Sequence, residues 1–132
     1  MKKIILTIMM SLIALAIFAQ SETGIAKESQ ERDVIDIYEL FPTQNIWTFI
    51  KLNTRNGKIW QVQFSLEETS ERTEVYINSL ALVYSEEQVN GRFTLVPTQN
   101  MYNFILLDQI DGSLWQVQWS TDPAYRGILP IN

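Results

Sequence analysis

The sequence predicts an all-β fold of two tandem three-stranded antiparallel meanders, preceded by a cleavable N-terminal signal helix. Residues 42–65 and 97–120 align without a gap and are identical at 13 of 24 positions, which indicates an internal duplication. Each copy also places β-branched and aromatic residues in short runs between Pro, Asn and Gly, as strands and turns require. We expect the two copies to pack as a small sandwich or barrel.

The first 20 residues have the plan of a secretory signal peptide. Two lysines follow Met1, residues 4–18 are apolar or small, and Ala19 and Gln20 lead into a polar segment. The apolar run of about 16 residues is shorter than the ~20 needed to cross a bilayer. Cleavage after Ala19 or after Gln20 fits this pattern. We expect export to the periplasm or the cell exterior, with no membrane span after cleavage.

The rest of the chain divides into a leader and one domain. Residues 21–33 are polar and predict a flexible leader. Residues 34–132 predict a single β domain, with a first repeat over about 34–66, linker strands over 67–90 and a second repeat over about 91–132. The chain is 46% hydrophobic and has no cysteine, so we expect one core that is stable without disulfides.

Side-chain parity predicts the pairing of the last two strands in each copy. With a four-residue hairpin loop at residues 54–57, Lys51 faces Trp60 and Phe49 faces Val62. A slip of one residue would scatter the aromatic side chains over both faces of the sheet. The same rule pairs Trp47 with Phe64 in the first copy, and Leu106 with Trp115, Phe104 with Val117 and Tyr102 with Trp119 in the second.

The Pro-Thr-Gln-Asn segment predicts the first turn of each copy. If residues 42–45 are the loop, Leu40 lies opposite Trp47 and Tyr38 lies opposite Phe49. All three strands then share one strongly apolar face, which cannot remain exposed on an isolated sheet. The second copy offers a matching face, so we expect the two faces to pack on each other around a pseudo-twofold axis. The linker and the segment after residue 120 each supply short additional strands.

The opposite face of each copy carries the candidate binding surface. Its repeated Gln-Val-Gln stretches are either a solvated outer row or an amide ladder that binds a partner peptide or a sugar. Apolar residues on the same face, Ile50, Leu52 and Ile59 in the first copy, need a cover, which either the linker strands or a partner supplies. The candidate surface comprises Gln61, Gln63, Gln116, Gln118, Ile105, Leu107 and Leu114.

Charge and residue types limit the chemistry. The chain has 15 acidic and 10 basic residues, and removal of residues 1–20 with their two lysines leaves 8 − 15 = −7, which disfavours nucleic acid. The chain lacks His and Cys, which removes His-based triads, thiol nucleophiles and the usual zinc ligand sets. We expect no enzyme activity and no cofactor; a carboxylate-based hydrolase is the alternative.

One hairpin has a partial likeness to a calcium loop. It contains Asp108, Asp111 and Gly112, and the first copy has Asn53 and Asn56 where these acids stand, followed by the same glycine. Turn formation explains both copies, because Asp or Asn caps local N–H groups and Gly accepts a left-handed conformation. We therefore expect a turn and no metal site.

Three classes of function remain open. The leading hypothesis is an exported, non-enzymatic binding module of unknown ligand; an inhibitor or immunity-type protein is its sharper variant, since an acidic chain suits a basic partner. The second is a glycan-binding or carbohydrate-active protein, in which Trp47 and Tyr102 stack on a sugar rather than pack in the core. The third is a structural protein that self-associates as a homo-oligomer.

The repeated unit resembles small exported proteins of Gram-negative gut-type bacteria that carry one or two such units. The resemblance rests on Pro-Thr-Gln-Asn, a Phe-Ile-x-Leu strand, a Gly turn and Trp-Gln-Val-Gln, over residues 38–65 and 93–120. It implies a bacterial β-protein outside the cytoplasm and implies no functional residue. The Leu-Asp-x-x-x-Gly-x-x-Trp segment at 107–115 also resembles part of a propeller blade, but two units do not close a propeller alone.

Overall fold

The computed structural model describes residues 37–132. The predicted signal peptide over 1–20 and leader over 21–33 lie outside the described residues. Within the described part, eight strands form two four-stranded antiparallel sheets, each with its strands in sequence order. The first sheet contains β1 (Tyr38–Pro42), β2 (Thr48–Asn53), β3 (Ile59–Gln63) and β4 (Thr73–Asn78), and the second contains β5 (Phe93–Pro97), β6 (Asn103–Asp108), β7 (Leu114–Gln118) and β8 (Gly127–Ile131). Ser85–Glu87 and Pro123–Tyr125 form short 3₁₀ turns.

Each sheet has one strand more than the predicted three-stranded meander. β4 comes from the linker and pairs with β3, with Val75 opposite Gln61. β8 comes from the C-terminal segment and pairs with β7, with Leu129 opposite Gln116. The all-β class is confirmed, whereas a closed barrel is wrong because the two sheets remain separate.

The predicted pairing of the hairpin strands is confirmed in both copies. Lys51 lies opposite Trp60 and Phe49 opposite Val62, and the second copy repeats this pairing with Leu106 opposite Trp115. The hairpin turns contain a glycine with φ near +80° in each copy. Parity of the aromatic residues was therefore sufficient to find this register.

The predicted pairing of β1 with β2 is wrong by four residues. Leu40 lies opposite Lys51 rather than Trp47, and Tyr38 lies opposite Asn53 rather than Phe49. A shift by an even number of residues leaves side chains on the same face of a strand. Tyr38 and Leu40 therefore share a face with Phe49, as parity predicted, although their partners differ.

The loop between β1 and β2 explains the shift. Pro42 belongs to the strand, and the loop begins at Thr43, whose hydroxyl donates to the Thr48 carbonyl at 2.9 Å. Asn45 Oδ1 accepts a hydrogen bond from the Trp47 N–H at 2.9 Å. The second copy makes the same bonds from Thr98 and Asn100. The repeated Thr and Asn thus stabilise a longer loop than the four-residue turn.

Each sheet has two apolar faces, which we name by their distinctive residues. The aromatic face of the first sheet contains Tyr38, Leu40, Trp47, Phe49, Trp60, Val62, Phe64 and Tyr76, and that of the second contains Phe93, Leu95, Tyr102, Phe104, Leu106, Trp115, Val117 and Trp119. The glutamine face of the first sheet contains Phe41, Thr48, Ile50, Leu52, Ile59, Gln61 and Gln63, and that of the second contains Val96, Asn103, Ile105, Leu107, Leu114, Gln116 and Gln118.

One core lies between the sheets, and unlike faces form it. Ile50, Leu52 and Ile59 on the glutamine face of the first sheet are fully buried, and they cluster with Phe93, Leu106 and other residues of the aromatic face of the second sheet. β2 approaches β5, and β4 approaches β8. The expectation that the two aromatic faces pack on each other around a pseudo-twofold axis is therefore wrong. The second sheet supplies the main cover for Ile50, Leu52 and Ile59, which the sequence assigned to either the linker strands or a partner.

The linker closes the margin of this core over the first hairpin. Leu82 N–H donates to the Asn56 carbonyl at 2.8 Å, and Asn78 Nδ2 donates to the Gly57 carbonyl at 2.9 Å. The Leu82 side chain lies so close to Gly57 that an added Cβ would meet its Cδ1 at 2.7 Å. Gly112, the equivalent glycine of the second copy, has no described atom within 4 Å of that position.

These two glycines give a matched test of the linker contact. Both have positive φ, 78° at Gly57 and 81° at Gly112, so Gly→Ala imposes a similar backbone cost of roughly 1–2 kcal/mol at each. Gly57→Ala also forces the half-buried Leu82 side chain to move and should lose roughly 1 kcal/mol more, the low end of the overpacking range. Urea unfolding of the two variants measures the difference; equal losses would show that the linker does not pack as described.

Candidate interaction surface

The aromatic face of the first sheet is open to solvent. Tyr38, Leu40 and Tyr76 are each more than half exposed, and Trp47 is 41% exposed. The rings contact one another. The ring centres of Trp60 and Tyr76 lie 5.1 Å apart, and those of Trp47 and Phe64 lie 5.4 Å apart in an edge-on arrangement. These contacts hold large side chains in place before any partner arrives, which lowers the entropy cost of binding.

A charged pair crosses this aromatic face. Lys51 Nζ lies 4.5 Å from the centre of the Trp60 ring and 5.5 Å from that of Tyr38, and it forms an ion pair with Glu74. Cation–π contacts of this kind are worth about 0.5–1 kcal/mol at exposed sites. The second sheet has the fully buried Leu106 at the position of Lys51. The first copy thus carries a charge where the second carries an apolar core residue.

A groove of about 520 Å³ borders the aromatic face beyond β3. Trp47, Phe64 and Leu66 provide apolar wall, and Glu67 and Glu71 provide carboxylates. The groove therefore combines an aromatic contact area with negative charge, a combination that suits an apolar partner segment with a basic residue beside it.

The glutamine face of the second sheet brings together five of the seven predicted surface residues. Ile105, Leu107 and Gln118 are half-buried, and Leu114 and Gln116 are exposed. Gln116 Nε2 donates to Asn103 Oδ1 at 2.8 Å, which orients its amide. A second groove, of about 390 Å³, adjoins this face and contains Gln116, Gln118, Tyr125 and Arg126. This part of the predicted surface stays a prediction of a binding face.

The other two predicted residues lie elsewhere. Gln61 is fully buried between the sheets, so it is not part of an exposed surface. Its Oε1 accepts a hydrogen bond from the Ser120 N–H at 3.1 Å, while its Nε2 has no hydrogen-bond partner among the described residues. Gln63 is half-buried and lines the groove beside Trp47 and Phe64. The repeated Gln-Val-Gln sequence does not reveal which glutamines are buried and which are exposed, because that difference arises only from tertiary packing.

Trp47 and Tyr102 occupy equivalent positions just before β2 and β6. Both are partly exposed, Tyr102 at 45%. Tyr102 packs against Trp119 with ring centres 5.0 Å apart, and Trp119 in turn donates from Nε1 to the Met101 carbonyl at 2.8 Å. Each aromatic ring therefore has one face or edge in contact with the protein and the rest in solvent, a position that permits stacking with a ligand.

Turn formation and a buried ion pair account for the Asp-Gly hairpin. Asp108 Oδ1 accepts from the Ile110 N–H at 2.9 Å, and Asp111 Oδ1 accepts from the Ser113 N–H at 2.8 Å. Asp108 is fully buried and pairs with Arg92, whose Nε lies within 3.1 Å of both carboxylate oxygens. Among residues 37–132 the structure contains no group of three or more His, Cys, Asp or Glu side chains arranged to hold a metal.

Hydrogen bonds shift the pKa values of Asp111, which lies in this hairpin, and of Arg92, which contacts it. The hydrogen bond to Asp108 raises the pKa of Arg92 above its ordinary value, with further support from the negative charges of Asp111 and Glu87. The N–H of Ser113 lowers the pKa of Asp111, as does the charge of Arg92. Both shifts favour the ionised forms of Arg92 and Asp111, whose Nη2 and Oδ2 atoms lie 3.7 Å apart.

Sequence reasoning missed Arg92, although the repeat contains a signal for it. The aligned position in the first copy is Ile37, and the partner position changes at the same time, from Asn53 to Asp108. Two departures from the repeat that introduce opposite charges indicate a pair in contact.

The described residues also include no helix long and apolar enough to cross a membrane.

The Arg92–Asp108 pair gives a second test. Arg92→Ile and Asp108→Asn copy the residues of the first repeat. Arg92→Ile leaves the buried Asp108 carboxylate without its cation, and Asp108→Asn leaves the buried Arg92 with only the more distant Asp111. We expect each single variant to lower the urea midpoint, and the double variant to recover part of that loss because both charges are gone. Additive losses in the double variant would contradict direct coupling between the two side chains.

No protein-family model, no curated protein and no solved structure matches this chain.

Proposed function

We propose that this protein is an exported, non-enzymatic module that binds a protein partner through the aromatic face of its first sheet. The single observation that carries the proposal is that this face remains exposed although it has the aromatic composition of the face that forms the core in the second sheet. A contiguous apolar patch of this kind marks an interaction site on a soluble domain. Export to the periplasm or the cell exterior rests on the N-terminal sequence.

The composition of the face favours a protein over a small ligand. Trp and Tyr dominate the energetics of protein interfaces, and Tyr38, Trp47, Trp60 and Tyr76 supply both types here. The face spans a whole four-stranded sheet, whereas a small ligand needs a concave pocket that covers most of its surface. Lys51 and Glu74 add charges that restrict which partner surface fits.

Binding rather than catalysis is proposed from the residue types of the chain. Without His or Cys, the groups that most often transfer protons or attack carbonyl carbons near neutral pH are missing. Glu67 and Glu71 adjoin the aromatic face and suit a basic partner, which also supports the inhibitor-type variant of the proposal.

Site-specific photo-cross-linking tests the proposed face directly. A benzophenone analogue of phenylalanine replaces Tyr38 or Tyr76 on the aromatic face, and Tyr84 as the control. Tyr84 is 76% exposed and lies outside both faces. Illumination of intact cells that produce these variants should yield discrete adducts from Tyr38 and Tyr76 only. Equal adducts from Tyr84, or none from either face position, would contradict the proposal.

Glycan binding is the second candidate, and the partial exposure of Trp47 and Tyr102 favours it. Stacking of a sugar on Trp47 should change tryptophan fluorescence during a polysaccharide titration, and Trp47→Ala should weaken that binding by about tenfold, the scale of one aromatic contact. Tyr102→Ala is the matched variant in the second copy. A titration series that leaves the wild-type fluorescence unchanged would remove this candidate.

A further inference from the structure

The internal interface of this protein joins unlike faces of two equivalent units. The glutamine face of the first sheet packs on the aromatic face of the second sheet. An interface between different faces of equivalent units is heterologous: it leaves one free face of each type, and the same contact can repeat. Within residues 37–132, the free faces are the aromatic face of the first sheet and the glutamine face of the second.

The free glutamine face closely repeats the face that is buried inside the molecule. Ile105, Leu107, Leu114 and Gln116 stand at the positions of the fully buried Ile50, Leu52, Ile59 and Gln61. The free aromatic face repeats the other half of the core, since Phe49 stands at the position of Phe104 and Trp60 at that of Trp115. Each molecule therefore displays both halves of an interface that it already forms internally.

We propose that the partner is a second copy of this chain, bound head to tail. The glutamine face of the second sheet in one molecule packs on the aromatic face of the first sheet in the next. This inference rests on the proposed function, because it names the partner of the same aromatic face. Its basis is continuity with the internal interface, whose residues the two free faces repeat.

One polar contact of the stack follows from repeat equivalence. Inside the molecule, Gln61 Oε1 accepts from the Ser120 N–H. The equivalent residues are Gln116 and Ser65, so Gln116 of one molecule meets Ser65 of the next. Arg126 shares a groove with Gln116, and Glu67 shares a groove with Ser65. The two surfaces of the stack therefore carry opposite charges beside the glutamine and serine positions, although both chains are acidic overall.

The Lys51–Glu74 pair makes the contact between molecules weaker than the contact within one. Leu106 and Ile128 stand at the equivalent positions of the second sheet, and they bury apolar surface where the first sheet would have to desolvate a charged pair. Burial of an ion pair costs much of the attraction that it provides. We expect reversible, concentration-dependent association.

Sedimentation velocity on the protein purified from the envelope or medium of producing cells tests the stack. The wild type should form species larger than a monomer as its concentration rises, and beyond a dimer, because each dimer still has two free faces. Leu107→Arg should stay monomeric. Ile110→Arg is the matched control: it adds the same charge in the hairpin loop, where the first copy has Arg55, and should associate as the wild type does.

A gain-of-association variant keeps the test independent of folding defects. Lys51→Leu combined with Glu74→Ile makes the aromatic face of the first sheet match that of the second, and should lower the concentration needed for association by at least about tenfold. Circular dichroism confirms that the variants are folded. A wild type and a double variant that both remain monomeric at every concentration would overturn the proposal.

Cysteine cross-linking tests the direction of the stack, since the chain has no native cysteine. Gln116→Cys and Ser65→Cys proteins are mixed and treated with a short bismaleimide. The head-to-tail contact predicts adducts between the two variants and none within either alone. Adducts of Ser65→Cys with itself would indicate that two aromatic faces meet, which would overturn the head-to-tail proposal.

Photo-adducts from Tyr76 to a different protein, with a monomeric wild type, would leave the proposed function standing and remove this inference.

Discussion

The packing of a glutamine face on an aromatic face is the interaction on which the rest of the structure depends. A sheet of four strands with two apolar faces can bury only one of them in a stack of two sheets. The first sheet buries Ile50, Leu52 and Ile59, and its aromatic residues remain outside. The second sheet does the reverse. Two sheets of similar sequence therefore have opposite orientations toward the core.

The differences between the two copies follow from these opposite environments. On the aromatic face of the second sheet, Leu106 is fully buried in the core. At the same position in the first sheet, Lys51 contacts the Trp60 ring and pairs with Glu74. The second hairpin is anchored by the buried Arg92–Asp108 pair, which is charged where the first copy has Ile37 and Asn53. In place of that pair, the first hairpin contacts the linker through Gly57. Each copy has a different solution to the same requirement, which is to fix its hairpin against the rest of the domain.

Much of each sheet was predictable from sequence, because parity is a local property. The β2–β3 register and the side on which Tyr38 and Leu40 lie both follow from alternation along the strands. The partner of Leu40 did not follow, since Thr43 and Asn45 stabilise a longer loop through side-chain hydrogen bonds that a Pro-containing turn does not suggest. The extra strands β4 and β8 were expected only as short segments, because neither belongs to the aligned repeat.

The relation between the sheets was not predictable by the same reasoning. Both faces of each sheet are apolar, so alternation does not indicate which face enters the core, and symmetry suggested that like faces would meet. Gln61 is an example: alternation places it on the glutamine face, but only the packing of the sheets puts its amide in the core, where Oε1 accepts a hydrogen bond from the Ser120 N–H. A twofold arrangement would bury both aromatic faces and leave the two similar glutamine faces as the outer surfaces. The observed arrangement leaves two different surfaces, one of each type, so both halves of the internal interface are repeated on the outside of the molecule. The difference between the two outer faces is thus a property of how the sheets stack, and alternation along the strands does not reveal it.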